Sequence, residues 1–212
     1  MTNRELEEVI SVGRNVLRQN YKLKRSTKTS FYSRLSSSIR AIFAKKTGGE
    51  FNKKFERVLL EGWIEELLRF LAILSLSGKG GRHNSHDFVP SYPVWEAWRC
   101  LMADKRLYCK VCLALGNSGA IDPDDFTVKE EDDLRALYED TVKEYKRLYH
   151  SEPPYLFWPE FDDFLYENEG CLFDTIIASD TWSFLVEALG CSNALQGSNV
   201  KSWVSSHKEI LI

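Results

Sequence analysis

Val94-Trp95-Glu96-Ala97-Trp98-Arg99-Cys100-Leu101-Met102, followed by Tyr108 and Cys112, sets large apolar side chains at helical spacing. Residues three and four apart share a helix face, so the stretch reads as one helix from Val94 to about Leu115, stopped by Gly116 and the turn formers Asn117-Ser118-Gly119. A face carrying Trp98, Tyr108 and Cys112 has to be covered. The cover is expected from a second helix through Leu134, Leu137, Tyr138, Thr141, Val142, Tyr145, Leu148 and Tyr149, and the two are read as packed together. Beyond Pro153-Pro154, the run Tyr155-Leu156-Phe157-Trp158-Pro159 cannot stay helical ahead of its prolines and is expected to cross the core as an extended strap.

Working outward, residues 50–77 carry Phe51, Phe55, Val58, Leu59, Trp63, Leu67, Phe70, Leu71 and Leu74 in a wide stripe, which predicts a central helix. Glu65, Glu66 and Arg69 read here as polar interruptions. Upstream, Leu6, Val9, Ile10, Gly13, Val16 and Leu17 define an amphipathic helix over 4–20, capped by Thr2 or Asn3. Ser30 caps another, with Phe31, Leu35, Ile39, Ile42 and Phe43 on one stripe and Gly48-Gly49 at its end. Downstream, short helices are expected near 161–166, 171–177, 181–189 and from Ser198 to Trp203. The fold class is therefore all-α, a compact irregular helical bundle with an aromatic core, a proline-bounded extended segment and N-terminal amphipathic helices. Residues 1–49 form a basic helical region packing on a core domain of residues 50–212.

Composition agrees with a folded globule. Hydrophobic residues make up 43% of the 212, with six Trp, nine Tyr and twelve Phe to fill an interior. Five cysteines, an odd number at irregular spacing, favour free thiols and a reducing compartment, so a soluble, cytoplasmic chain is expected. The longest apolar run, around Phe70 to Leu74, is far shorter than the roughly 20 residues that span a bilayer. The net charge of −3 hides an asymmetry: Arg14 to Lys54 is almost purely basic, whereas Asp122 to Glu169 is dominated by carboxylates. Such a pattern implies an anionic partner at the basic end, or the two ends facing each other.

Chemical motifs are weak. Ser77-Gly78-Lys79-Gly80-Gly81-Arg82 lacks the order of a phosphate-binding loop and reads as a connector. His83, His86 and Asp87 offer a metal only a weak site, two histidines in a loop with no third strong ligand nearby, and Thr127 stands where a calcium loop from Asp122 needs glycine. Cys109 and Cys112 lie one turn apart inside a predicted helix, with no second pair to complete a zinc site. No cofactor or metal is expected. The basic helix has three competing readings. It buries its stripe on its own core, or it docks on an anionic membrane surface or a partner's groove, or it binds nucleic acid. Its candidate contact surface is Arg34, Arg40, Lys45 and Lys46.

Phe70-Leu71, then Val94-x3-Trp98, Asp104, Tyr108, Cys112, Gly116, Asp122-Pro123, Tyr138-x2-Thr141-x3-Tyr145-x3-Tyr149 and Pro153-Pro154-x3-Trp158-Pro159 together resemble the glycine-rich domain-containing protein-like family over about residues 60–160. Members of that family carry Val-Asp-x2-Trp-His-x-His and a later His-x-Pro. Trp95 stands here for the Asp, Arg99 and Leu101 for the two histidines, and Ile121 for the third. The resemblance thus implies an aromatic scaffold kept while a polar centre is lost, with a pocket at the lost site formed by Trp98, Arg99, Tyr108 and Tyr145. The leading functional expectation is a non-enzymatic helical interaction or scaffolding module with a protein partner. The alternatives are a small metal-dependent or hydrolytic enzyme, and a nucleic-acid-associated protein using the basic region.

Overall fold

In a computed structural model, the helices are α1 (Asn3–Leu23), α2 (Phe31–Thr47), α3 (Lys53–Lys79), α4 (Tyr92–Met102), α5 (Lys105–Ala114) and α6 (Glu131–Tyr149). The structure describes residues 3–23, 30–47, 53–79, 88–121, 131–155 and 157–161, with only the backbone described at some helix ends. Of the connector expected from Ser77, the first three residues, Ser77-Gly78-Lys79, are instead the end of α3, while its remainder at 80–87, the acidic turn at 122–130, Thr2 as a cap and the expected helices of the tail beyond Phe161 lie outside these residues. Among the described residues there are helices and no strand, and the fold is an all-α bundle around an aromatic core.

The centre is α3. Leu59, Trp63, Leu67, Phe70, Leu71 and Leu74 are buried as the stripe requires, and so are Ile64, Leu68, Ala72 and Ile73 on its other sides. A helix apolar nearly all round has to be surrounded, and α1, α2, α4 and α6 all pack on it. On α1, Leu6, Ile10 and Leu17 are sealed from solvent. Gly13 permits the close approach at their centre, because a Cβ there would lie 3.1 Å from Leu68 Cδ2 and 3.3 Å from Leu115 Cδ2. On α2, the Ser30 hydroxyl accepts the Ser33 amide as an N-cap, and Phe31, Leu35 and Ile39 are fully buried. The side chains of Ile42 and Phe43 lie outside the described residues. The N-terminal region thus packs on the core, α1 against α3 and α5, and α2 against α3 and α4.

The expected single helix from Val94 to Leu115 is two. Backbone bonds from the Ala103 and Asp104 amides to the Arg99 and Leu101 carbonyls finish α4. The Asp104 carboxylate then accepts the Leu107 amide at 3.2 Å and starts α5. Aspartate competes for local amides and so favours a cap over a helix interior, and here it wins. Gly116 does close α5 as read. At φ 87° it lets the Gly116 and Asn117 amides reach the carbonyls of Leu113 and Cys112, both at 3.0 Å, a Schellman arrangement that satisfies the last turn.

The tyrosine helix is not packed directly on the tryptophan helix as expected: α4 and α6 each pack on α3, and rings of α3 and of the proline-bounded segment lie between them. Phe70 of α3 meets Trp98 edge-on at 5.5 Å and Trp158 at 6.1 Å, and Trp158 meets Tyr145 at 5.7 Å and Tyr138 at 6.2 Å. Within the segment, the Pro154 carbonyl receives the amides of both Phe157 and Trp158, a turn that drives these two rings inward. Polar anchors hold it there. Ser91, the N-cap of α4, accepts from the Val94 amide and donates its hydroxyl to the Phe157 carbonyl, while Tyr138 donates to the Pro159 carbonyl at 2.6 Å. Thr141 accepts the Val89 amide at 2.9 Å and so pins the run before α4 to α6. No helix among the described residues is long and apolar enough to cross a membrane.

Candidate functional site

The polar centre of the bundle is built on one face of α3. Glu66 follows Trp63 by three residues and precedes Phe70 by four, so helical geometry puts its carboxylate among buried rings, and it has no exposed surface. Three groups meet it. Trp158 donates its indole N–H to Glu66 Oε2 at 2.9 Å, and Arg69 donates from Nη1 to Oε1 at 3.2 Å. The same Nη1 lies 2.7 Å from the Tyr145 hydroxyl, which also hydrogen-bonds the Glu66 carboxyl. Arg69 lies over the Tyr149 ring at 5.3 Å, and the Tyr149 hydroxyl donates back to the Arg69 carbonyl at 2.9 Å. One step outward, Arg69 Nε lies 3.6 Å from Glu65, which Arg14 of α1 grips in a bidentate pair with contacts of 2.7 and 3.0 Å. The network therefore ties α1, α3, α6 and the proline-bounded segment together.

Electrostatics follow from burial. Desolvation raises the Glu66 carboxyl above its ordinary value, opposed by the Arg69 charge and by hydrogen bonds from Trp158 and Tyr145. Burial opposes the Arg69 charge, but Glu66, Tyr145 and Glu65 overcome it and hold the guanidinium more firmly protonated than free arginine. Burial, aided by Glu66, pushes the Tyr145 hydroxyl well above its usual range, and burial does the same at Tyr149. These hydroxyls remain protonated donors rather than bases. Such an arrangement holds structure together: the Glu66 carboxylate and the Tyr145 and Tyr149 hydroxyls face groups of the same chain, while Arg69 Nε is buried without a hydrogen bond, its nearest carboxylate being Glu65 at 3.6 Å.

The residues singled out from sequence separate into three places. Trp98 and Tyr108 share a second buried node, where the indole N–H donates to the Tyr108 hydroxyl at 3.0 Å and that hydroxyl donates to the Ile121 carbonyl at 2.6 Å. Tyr145 belongs to the Glu66 network. Arg99 points out of the bundle, pairs with Glu96 at 3.3 Å and is not brought together with the other three. Leu101 is fully buried, so it and the exposed Arg99 face opposite ways.

On the basic surface, Arg34 turns inward to donate to the Cys100 carbonyl at 3.2 Å, and Arg40 makes a bidentate pair with Glu56 at 2.9 and 3.0 Å, where the Ser36 hydroxyl also donates. The side chains of Lys45 and Lys46 lie outside the described residues. Arg14 and Arg40 are thus both answered by α3, through Glu65 and Glu56.

Sequence reasoning passed over Glu56, Glu65, Glu66 and Arg69. The signal that finds them is position: Glu65, Glu66 and Arg69 lie where α3 is apolar nearly all round, so a charge there has little solvated face to occupy, unlike the exposed Arg57 near its start. Cys100 and Cys112 are free and buried, Cys109 is free and partly buried, and burial raises the first two thiols. Among the described residues, no three His, Cys, Asp or Glu side chains converge as a metal site requires. Comparison with family models, curated proteins and solved structures finds no match to this chain.

Proposed function

We propose that this chain is a non-enzymatic helical interaction module with a protein partner, and a divergent member of the glycine-rich domain-containing protein-like family. The observation that carries the reading is the buried network of Glu66, Arg69, Tyr145 and Trp158, in which the Glu66 carboxylate is held by the Trp158 indole and Arg69 Nη1, the latter also reaching the Tyr145 hydroxyl. Catalytic groups have to be aimed at a substrate, and carboxylates or tyrosines locked into mutual bonds are aimed at the fold. The kinship is supported by the burial of the aromatic positions that carry the resemblance: Trp98, Tyr108, Tyr138, Tyr145, Tyr149 and Trp158 all face the interior. Polyanion binding through Arg34 and Arg40 has to compete with the Cys100 carbonyl and with Glu56, which weighs against the nucleic-acid alternative.

Elemental analysis with native mass spectrometry, joined to crosslinking of the purified chain with its co-purifying proteins, tests this. The expected result is a metal-free chain crosslinked to a defined protein. A stoichiometric transition metal or a retained small-molecule substrate would overturn it in favour of the enzyme.

A further inference from the structure

Among the described residues, the large hydrophobic side chains left exposed are Val12 of α1, at 50%, and Leu113 of α5, at 51%. They lie on the two helices that flank one groove. Val16, Gln19 and Asn20 of α1 and Leu107, Lys110 and Leu113 of α5 line it, and it encloses about 310 Å³. Val12, Val16 and Gln19 follow one another at i, i+4 and i+7 along α1, and Arg106, Lys110 and Leu113 do the same along α5. The result is a trough with an apolar lip on each side.

Charge says what fits it. From Val9 to Asn20 and from Lys105 to Ala114 neither helix carries a carboxylate, whereas Arg18, Lys105, Arg106 and Lys110 are exposed and unpaired among the described residues. Elsewhere the bundle answers its cations: Arg14, Arg40, Arg57 and Arg147 each meet a glutamate.

We propose that the α1–α5 groove is the docking site for an acidic amphipathic helix of a protein partner, with apolar residues seated against Val12, Val16 and Leu113 and carboxylates facing Arg106 and Lys110. This deepens the module reading and rests on it. Helix-in-groove recognition supplies the geometry: anchors at i, i+3 or i+4, and i+7 match a trough between two packed rods. The cations set orientation and speed encounter, and the apolar lips supply the contact area.

Fluorescence anisotropy with a labelled synthetic peptide of Leu, Ala and Glu, leucines on one helical face and glutamates flanking it, tests the assignment on the full chain. The same peptide with lysine for glutamate is the control. The native chain is expected to bind the glutamate peptide and to prefer it over the lysine peptide by about tenfold or more. Leu113→Glu and Lys110→Glu should each weaken binding by about tenfold, with helical circular dichroism unchanged because both side chains are exposed. Absence of binding by the native chain, equal binding by the variants, or preference for the lysine peptide overturns the proposal. So does concentration-dependent dimerisation abolished by Leu113→Glu in sedimentation velocity, which would make the occupant a second copy. A groove that fails while crosslinks map a protein to another face sinks this assignment alone, whereas a bound metal sinks the module reading itself.

Discussion

Replacing Glu66 by Gln removes the one fully buried carboxylate that faces the Trp158 indole, and nearly preserves its shape. At 3.2 Å the Arg69 and Glu66 charges attract by roughly 5 kcal/mol at an effective dielectric near 20, and the desolvation of both ions offsets most of that. Removing one partner is the costly case, because a guanidinium with only a fifth of its side chain exposed is left behind. Stranding a buried charge costs about 3–5 kcal/mol, and the Glu65 carboxylate that stays 3.6 Å from Arg69 places the expectation at the lower end, near 3 kcal/mol. Urea unfolding at neutral pH, followed by tryptophan fluorescence, measures it as a lower midpoint at constant slope. Adding Arg69→Met to Glu66→Gln should give back part of the loss, since the stranded charge goes with it. The double variant therefore departs from additivity by about 0.5–3 kcal/mol. A Glu66→Gln chain within about 0.5 kcal/mol of wild type would refute the paired, buried role of this carboxylate.

Other perturbations follow from the same geometry. His150 ends α6 at φ 51°, in the left-handed region, and is exposed, so His150→Gly should stabilise the chain by about 0.5–1 kcal/mol in thermal or urea unfolding. Ser91→Ala removes both the α4 cap and the donor to the Phe157 carbonyl. It should cost about 2–3 kcal/mol and raise acrylamide quenching of the tryptophans as the strap loosens. Gly13→Val drives methyl groups into Leu68 and Leu115 and should destabilise by about 2 kcal/mol, detectable as a lower urea midpoint. Among the described thiols, mass mapping after brief iodoacetamide treatment should find Cys109 alkylated before Cys100 and Cys112, which are buried with raised pKa values.

Much of the architecture is carried by local pattern. The stripes Leu6 to Leu17 and Phe31 to Ile39 bury as their spacing requires, and the breadth of the stripe on α3 marks it as the centre. Gly116 and Ser30 act through chemistry confined to a few neighbouring residues. What stayed illegible depends on distance along the chain. Glu66 looks like an interruption of an apolar run until its partner Trp158 is seen 92 residues later, and Arg40 looks like free surface charge until Glu56 is placed against it. Asp104 is a borderline case. Its carboxylate can cap a new helix or sit on the surface of a continuous one, and packing α5 against α1 decides for the cap. Arg99 differs again, because helical phase alone turns it away from Tyr108 and Tyr145 once α4 is seated on α3.

The most direct measurement is hydrogen exchange at the tryptophan indole N–H groups, resolved by 15N NMR. The Trp158 proton donated to Glu66, the Trp98 proton donated to Tyr108 and the Trp63 proton donated to the Pro93 carbonyl should all exchange only through global unfolding, with the same free energy as urea denaturation gives. A Trp158 indole that exchanges freely while the other two stay protected would contradict the buried network, and with it the view that the interior is committed to holding the fold.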